Sequence, residues 1–454
     1  MPTAIRSYIR ALGLDAYVVG GAVRDELLGI PHSDEDFLVP GVDHAGLHAA
    51  LEPHGRVEDM EVHGQLVGVR FYPDDPAVKG LVPSGIELTP PRIERSTGPG
   101  HHDFEIVADG SATVEDDMRR RDFTVNAIAR RLATGELVDP FGGVADLERR
   151  VLRTVTPESF REDPLRILRG LRLVSQLSFA LAPETLGQMR AEAAGLRHVS
   201  GERIGGGVAV DGMGELSKLL LGTRPAEALR LARDTGALVE VIPELGATFG
   251  YAVASPRQPL PLDEHLFAVA QAAADAGTTL PVRLAALLHD VAKPQADAAG
   301  ESHAAGGAVA TGRILRRLRY PNGLREDVVR LVAAHDFRLD GEVDAAFARR
   351  FLASHGLERA RELVALKRAD LSVKEVDPAE LAALARLEQE IEGQRDRPYR
   401  LADLAVNGRD LLELGYREGP ALGAALARLL DDVLDDPALN SREALLARAR
   451  ELAL

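Results

Sequence analysis

The sequence predicts an α+β protein, in which an α/β first part is followed by an all-helical remainder. Up to about residue 145, β-like runs at residues 17–19, 36–39, 66–71 and 85–88 alternate with turns and short helical patterns. From about residue 146, Ala, Leu, Arg and Glu recur with the 3.6-residue period of helices, and turns fall at Gly and Pro. A chain of 454 residues is long enough for two to four domains.

The composition limits the kind of protein. The chain contains no cysteine, so thiolate metal sites are excluded and any metal would have to be held by His, Asp and Glu. Neither a run of about 18 apolar residues nor a basic start followed by an apolar stretch is found. We therefore expect a cytoplasmic protein without a membrane partner. The formal charge of −16 argues against binding a polyanion over a broad surface but permits a local basic groove.

The first candidate site is a pair of aspartates, Asp34 and Asp36, close behind a glycine turn. Two residues apart on a strand, both carboxylates would leave the same face, roughly 6 to 7 Å apart. Such a pair suits two divalent cations that hold a nucleotide's phosphates and activate a hydroxyl. Upstream, Gly20 and Gly21 lack side chains where backbone N–H groups could face a triphosphate, and Arg24 follows. Solvated acids beside a tight turn are the alternative interpretation.

Two further clusters combine acids with arginines. Residues 115–127 and 139–143 form the first, in which early acids and later arginines also complement a helix dipole. In the second, Asp163 is a natural N-cap with Pro164 at the first helical position, and arginines recur at every third residue from Arg166. A carboxylate and an arginine could read a base edge without a nucleic-acid template. A solvated arginine face is the structural alternative.

The order of these motifs resembles that of class II tRNA nucleotidyltransferases, the CCA-adding enzymes of the poly(A) polymerase family. The resemblance covers roughly residues 15 to 250. It implies a polymerase-β-like nucleotidyltransferase head at residues 1–145 and a helical neck for nucleotide selection at 146–250. A helical body at 251–395 and a helical tail at 396–454, implied to contact the tRNA elbow, would follow. Bacterial poly(A) polymerases share the head motifs but carry a basic tail, which is absent here.

The resemblance also implies roles for individual residues. Asp34 and Asp36 would hold catalytic Mg²⁺, and Glu87 is a candidate third carboxylate. Asp163 and Arg166 would select CTP and ATP. The residues implied to bind the nucleotide are Gly20, Gly21, Arg24, Arg121, Asp122, Asn126, Asp163, Arg166 and Arg169.

The C-terminal half carries a separate pattern. A His-Asp pair at a helix end, with further histidines at wide separation, resembles the HD-domain metal-dependent phosphohydrolases. These side chains suit Mg²⁺ or a divalent transition metal, and an open coordination position would activate water against a phosphoester. The alternative is a degenerate HD fold in which the histidines cap helices. The expected metal ligands are His265, His289, Asp290, His303, His335 and Asp370.

The expected function is template-independent addition of CMP and AMP, from CTP and ATP, to the 3′ end of tRNA, with an accessory HD phosphohydrolase. Addition of CC alone or of a terminal A alone is an alternative. A second alternative is an HD phosphohydrolase whose head binds tRNA but is inactive. The oligomeric state and the HD metal stay open.

Two details depart from the family pattern. Glu35 stands between the two aspartates, where relatives carry an apolar residue, and should point to the opposite face. A glycine-rich stretch at residues 205–212 separates Arg203 from Glu215, where relatives run continuously as helix. The neck helix and any role of this region in nucleotide specificity are therefore in doubt.

Overall fold

The chain folds into two compact units, residues 1–243 and 244–454. This computed structural model describes residues 2–32, 35–62, 64–96, 104–107, 110–206, 212–339 and 341–452. Strands concentrate in the first part of unit 1, and the regular elements among the described residues of unit 2 are all helices. The predicted α+β class is confirmed.

Unit 1 is built on a seven-stranded mixed sheet with the order β3-β4-β5-β2-β1-β8-β9. The strands of the unit are β1 Tyr17–Val19, β2 Asp36–Leu38, β3 Gly55–Val62, β4 Gln65–Pro73, β5 Ile86–Thr89, β6 Ile93–Ser96, β7 Phe104–Val107, β8 Ala129–Arg131, β9 Leu137–Val138, β10 Val151–Leu152 and β11 Ala180–Leu181.

The four predicted β-runs overlap the central strands β1, β2, β4 and β5. Their apolar side chains fill the core, where Val18, Phe37, Phe71 and Leu88 are fully buried. The sequence prediction missed the edge strand β3, which carries four acidic or basic side chains in eight residues, and the very short β8 and β9. It also missed the two-residue pair β10 and β11 inside the part expected to be all helical. Edge and short strands show little of the apolar pattern on which such predictions depend.

The central strands set the geometry of the first candidate site. Strands β2 and β5 are parallel, and Asp36 is the direct neighbour of Glu87 in their register. Side chains at paired positions leave the same face of a sheet. Two carboxylates that lie 51 positions apart in the sequence are thereby placed next to one another.

The helices of unit 1 surround the sheet and continue beyond it. They are α1 Pro2–Ala11, α2 Gly21–Leu27, α3 His44–Leu51, α4 Pro76–Lys79, α5 Val114–Arg119, α6 Gly143–Arg149, α7 Ser159–Glu162, α8 Leu165–Leu177, α9 Pro183–Glu192, α10 Glu215–Leu220, α11 Pro225–Asp234 and α12 Ala237–Val241. Residues 202–206 form a single π-helical turn.

Helix α8 is the central helix of this part. Its apolar side is fully or almost fully buried, including Ile167, Leu171 and Val174, and it packs against α10 and α11. The helix begins at Leu165, one residue later than predicted, and the Asp163 Oδ1 atom accepts a hydrogen bond from the Leu165 N–H at 3.1 Å. Asp163 therefore still satisfies a free N–H at the start of the helix.

Unit 2 consists of helices α13 Leu262–Asp275, α14 Leu280–Leu288, α15 Lys293–Ala299, α16 His303–Arg317, α17 Asn322–Ala334, α18 Ala345–His355, α19 Leu357–Ser372, α20 Pro378–Gln394, α21 Gly408–Glu413, α22 Pro420–Asp435 and α23 Arg442–Leu452. Helix α14 is almost entirely buried and packs against α13, α17 and α19. The last three helices share an apolar cluster that includes Leu411, Leu429 and Leu445. None of the helices in the described residues is long and apolar enough to cross a membrane.

The motif at residues 139–143 allows helix α6 to pack closely beside the first site. Both carboxylate oxygens of Asp139 accept hydrogen bonds from the backbone N–H groups of Gly143 and Val144 at the start of α6. A Cβ at Gly143 would lie 2.1 Å from the carbonyl oxygen of Thr124. Thr124 belongs to the 3₁₀ turn that ends at Asn126. Only glycine lets α6 approach this turn.

We predict that Gly143→Ala destabilises unit 1, because the added methyl group meets backbone that cannot rotate away. The free energy of unfolding should fall by about 1–3 kcal/mol, measured by chemical denaturation of the full chain. Gly187→Ala is the matched control, since its Cβ would meet nothing within 4 Å in helix α9. That variant should be neutral or more stable by up to about 1 kcal/mol. Equal stability of the two variants would contradict the prediction.

Candidate active sites

A cavity of about 550 Å³ in unit 1 contains most of the predicted nucleotide-binding residues. Seven of its twelve lining residues are arginines, a composition suited to a polyanion such as a triphosphate. The lining residues are Gly21, Arg24, Asp36, Arg92, Arg120, Arg121, Asp122, Asn126, Asp163, Arg166, Arg169 and Arg172. Arg92, Arg120 and Arg172 were not predicted, although Arg120 and Arg172 belong to the arginine clusters that the sequence shows.

Of the three carboxylates predicted for the first site, Asp36 is the one found in the described lining of this cavity. Asp36 lines it, whereas Asp34 lies outside the described residues. Glu87 is beside Asp36 in the sheet but is not among the lining residues, and its Oε1 atom accepts a hydrogen bond from Arg70 at 2.5 Å. The adjacent Glu35 is anchored elsewhere, because its buried carboxylate accepts from the Arg6 guanidinium at 2.7 and 2.9 Å. Glu35 is absent from the cavity lining, in agreement with its predicted orientation away from the aspartates.

The glycine turn admits an arginine into the site. Gly20 has a positive φ of 74°, and a Cβ there would lie 2.5 Å from the Arg121 Nη1 atom. Its N–H donates to the Ile128 carbonyl at 3.3 Å, so this N–H does not face the cavity as the sequence suggested. Arg24, from helix α2, donates to the Asn126 side-chain oxygen at 2.7 Å.

Asp122 is a buried hydrogen-bond centre of the cavity. Its Oδ1 atom accepts from the Phe123 N–H at 2.8 Å and from the Asn126 amide at 2.9 Å, and its Oδ2 atom accepts from Arg169 Nε at 2.8 Å. Burial raises the pKa of Asp122, but the charge of Arg169 and the Asn126 hydrogen bond outweigh it and leave that pKa well below its usual range. Asp122 is therefore ionised and fixed in orientation.

Asp117 is a further acid that the sequence analysis did not assign to the site. Its side chain is fully buried and accepts from Arg120 Nε at 2.8 Å and from Arg121 Nη2 at 3.0 Å. The signal was present in the sequence, because positions i+3 and i+4 of a helix lie on the same face as position i. Asp117 orients two of the cavity arginines.

The predicted base-reading pair is also in the cavity, with both side chains held by protein groups. Asp163 Oδ2 accepts from Arg203 Nη2 at 3.0 Å. Arg166 donates to the hydroxyl and carbonyl of Ser159 and, at 2.6 Å, to the Arg120 carbonyl. Arg203 was not assigned to the site from the sequence, since it lies 40 residues from its partner.

A second candidate site lies in unit 2, where all six predicted metal ligands converge. The Nε2 atoms of His303 and His335 lie 3.2 and 3.5 Å from Asp290 Oδ1. The Nε2 atom of His265 lies 3.1 Å from Asp370 Oδ1, and that of His289 lies 3.7 Å from both aspartates. Each ligand lies within or next to a different helix, apart from the adjacent His289 and Asp290.

The histidine rings are oriented for coordination. The Nδ1 atoms of His289 and His335 lie 3.0 and 2.7 Å from carbonyl oxygens three residues earlier. This contact places the proton on Nδ1 and leaves the Nε2 lone pair free. Burial lowers the pKa of His289 to about 3, which keeps the ring neutral. Both residues stand at helix C-caps, so they cap helices, as the alternative interpretation proposed, and also present Nε2 to the cluster.

Unsatisfied atoms show that the cluster fits a cation. The buried atoms Asp290 Oδ1 and His289 Nε2 lack a well-aligned hydrogen-bond partner, which is rare for buried polar groups. Two sets of ligand atoms are close enough to hold one ion each, His265–His289–Asp290 and Asp290–His303–His335, and Asp290 is common to both. A shared carboxylate is a means of bridging two ions.

Comparison with protein families matches three parts of the chain. Residues 16–153 match the poly A polymerase head domain, and residues 178–248 match a probable RNA- and SrmB-binding site of polymerase A. Residues 303–449 match a putative domain 2 of tRNA nucleotidyltransferases. The assignment of an HD domain stays a prediction.

Curated relatives match most of the chain or almost all of it. The multifunctional CCA protein of Xanthomonas campestris is 34% identical over 96% of this chain and 99% of its own length. The multifunctional CCA protein of Azoarcus sp. is 37% identical over 70% of this chain and 73% of its own length.

Solved structures share the fold. The CCA-adding enzyme of Bacillus stearothermophilus in complex with CTP has a TM-score of 0.68 at 27% identity and covers 99% of this chain and 95% of its own. The Thermotoga maritima CCA-adding enzyme complexed with tRNA, at 19% identity and a TM-score of 0.56, covers 98% of this chain and 92% of its own and supports the fold alone. The resemblance predicted from the motif order is confirmed, and the chain belongs to the family of multifunctional CCA proteins, which are tRNA nucleotidyltransferases.

Proposed function

We propose that this protein adds CMP and AMP, from CTP and ATP, to the 3′ end of tRNA without a nucleic-acid template. The observation that carries the proposal is the arginine-rich cavity, which holds Asp36 and the Asp163/Arg166 pair together in one pocket. Membership of the multifunctional CCA protein family supports the same conclusion. Addition of CC alone or of a terminal A alone would use the same cavity residues. Sequencing of the tRNA 3′ ends distinguishes these products from full CCA addition.

The arginines of the cavity would bind the triphosphate. Arg24, Arg120 and Arg121 are held by Asn126 and Asp117, so they meet the phosphates with little loss of side-chain freedom. The tRNA 3′-hydroxyl would attack the α-phosphate and pyrophosphate would leave, a reaction catalysed mainly by positioning and by neutralising charge. Mg²⁺ held by Asp34 and Asp36, with Glu87 as a third carboxylate, would supply part of that neutralisation.

Base selection would depend on the second half of the cavity. Cytosine and adenine each present an exocyclic amine, which donates a hydrogen bond to an ionised carboxylate. Uracil and guanine present a carbonyl at the corresponding position, which cannot donate. Asp163 would make this contact, and Arg166 and Arg169, which line the same cavity, would donate to the base beside it. The neck, residues 146–250, would thus choose the nucleotide, while the head, residues 1–145, carries out the transfer.

We infer a second activity, a metal-dependent phosphohydrolase, in the body at residues 251–395. Two candidate ligand sets that share Asp290, together with buried atoms that lack well-aligned partners, favour it. Histidine nitrogens and carboxylate oxygens suit Mn²⁺, Co²⁺ or Ni²⁺, and Mg²⁺ is the alternative. The tail, residues 396–454, would contact the elbow of the tRNA by shape and backbone.

Asp36→Asn should abolish incorporation of labelled CMP and AMP into tRNA that lacks its 3′ end. Loss of a metal-binding carboxylate removes several kcal/mol of charge stabilisation, so the rate should fall at least about a hundredfold. Asp290→Asn is the matched control and should keep incorporation at the wild-type rate. Full incorporation by Asp36→Asn would exclude Asp36 from the catalytic site, whereas a wild-type protein that incorporates neither nucleotide would support the alternative of an inactive head.

Asp163→Ala should relax nucleotide choice, because no carboxylate then accepts from the exocyclic amine. We expect the preference for CTP over UTP, measured as the ratio of their kcat/KM values, to fall by about 10- to 100-fold. Glu240→Ala serves as the control, because Glu240 pairs with Arg197 away from the cavity. A ratio that stays at the wild-type level would exclude Asp163 from base reading.

Asp290→Asn should remove bound transition metal and the hydrolysis of a phosphomonoester, because Asp290 belongs to both candidate ligand sets. Metal content is measured by mass spectrometry after dialysis, and hydrolysis by release of phosphate. Asp336→Asn, next to His335 but outside both sets, should change neither. If Asp290→Asn retained its metal, the assignment of the ligand cluster would be wrong.

A further inference from the structure

The glycine-rich stretch that interrupts the family pattern does not separate its two flanks in space. The Gly214 N–H and the Ser217 hydroxyl both donate to the Gly205 carbonyl, each at 2.9 Å. A Cβ at Gly214 would lie 2.4 Å from the carbonyl carbon and oxygen of Ile204. The described flanks, residues 202–206 and 214–217, are therefore fastened to each other, while residues 207–211 lie outside the described part of the chain.

The first flank reaches the base-reading carboxylate. Arg203 Nη2 donates to Asp163 Oδ2 at 3.0 Å, and the other oxygen accepts from the Leu165 N–H at 3.1 Å. A carboxylate has about four acceptor positions, so two contacts fix its plane and leave further positions for a ligand. Asp163 lines the cavity, and Arg203 approaches it from outside the lining.

The second flank reaches a cavity arginine. Glu215 Oε2 lies 3.2 Å from Arg172 Nε, and the two side chains are only 11% and 18% exposed. Arg172 lines the cavity next to Arg169 in the same helix face, so it needs a balancing negative charge once it is removed from water. Burial lowers the pKa of Arg172, and the charge of Glu215 opposes that change.

We propose that Arg203 and Glu215 are positioning residues for nucleotide selection, in which Arg203 fixes the Asp163 carboxylate and Glu215 holds Arg172 at the cavity wall. The inference rests on the proposed function of the cavity. The two flanks of the glycine-rich stretch would thus support the nucleotide-selecting residues, as a continuous neck helix would otherwise do. Asp163 would read the base, whereas Arg172 would only add positive charge. Arg203 should therefore affect the choice of nucleotide, and Glu215 should affect only how tightly nucleotides bind.

Arg203→Met tests the first role through steady-state kinetics with CTP, ATP, UTP and GTP on tRNA lacking its 3′ end. We expect the preference for CTP over UTP to fall about tenfold, while kcat with CTP stays within about threefold of wild type. Arg203→Lys keeps one charged donor and should recover part of the preference. Arg197→Met is the matched control, since Arg197 forms an exposed ion pair with Glu240 away from the cavity.

Glu215→Gln tests the second role with the same nucleotides. We expect KM to rise several-fold for all four nucleotides, without a change in the preference for CTP over UTP, because Arg172 binds without reading the base. Glu240→Gln is its control and should leave KM unchanged. The thermal midpoint of each variant is measured in parallel. If Arg203→Met does not fold, Arg203→Leu replaces it, because leucine also offers no donor to Asp163.

The outcomes separate the inference from the proposed function. If the wild-type protein incorporates neither CMP nor AMP, the proposed function fails. If the wild type is active and folded Arg203 variants keep the full preference for CTP, the positioning role of Arg203 is wrong. A uniform fall of kcat with all nucleotides and an unchanged preference would show that Arg203 only stabilises the fold, and an unchanged KM in Glu215→Gln would overturn the role of Glu215.

Discussion

The constraint on which unit 1 depends is the balance of charge in one crowded cavity. Seven arginines face a space of about 550 Å³, in a protein whose net charge is −16. Positive charges at such density repel one another and lose hydration, so each needs a fixed partner. Asp117 pairs with Arg120 and Arg121, Asp122 pairs with Arg169, and Glu215 pairs with Arg172. The acidity of the chain as a whole thus coexists with a strongly basic site.

The same ion pairs join the sheet to the helices that follow it. Asp122 comes from the loop after α5, and Arg169, its partner, comes from the middle of α8. The Asp122 carbonyl also accepts from the Val155 N–H, and Phe123 forms an isolated β-bridge with Thr154. The groups that would hold the triphosphate and those that would read the base therefore occupy one compact unit. A substitution of Asp122 should therefore disturb both the groups that would hold the triphosphate and those that would read the base.

Local pattern explains which features the sequence could predict. Asp117 with Arg121, and Asp163 with Leu165, are near neighbours on one helix or turn, so spacing alone brings them together. The pairing of Asp36 with Glu87 and of Asp163 with Arg203 depends on sheet register and on helix packing across 40 to 51 positions. No short-range periodicity encodes such pairs. Family resemblance pointed to Glu87, whereas Arg203 carried no comparable signal, because its segment departs from the family pattern.

The histidine cluster was predictable for a different reason. A His-Asp pair at a helix end, with further histidines at wide separation, is a local pattern that resembles the HD-domain phosphohydrolases, and each ligand lies within or directly after a helix that the sequence pattern predicts. The two proposed metal sites then differ in ligand chemistry. Carboxylate oxygens alone suit Mg²⁺, whereas imidazole nitrogens with a shared carboxylate suit transition metals. If both proposals hold, this difference in ligands would favour different ions at the two sites, so nucleotidyl transfer and phosphoester hydrolysis would not have to share a metal.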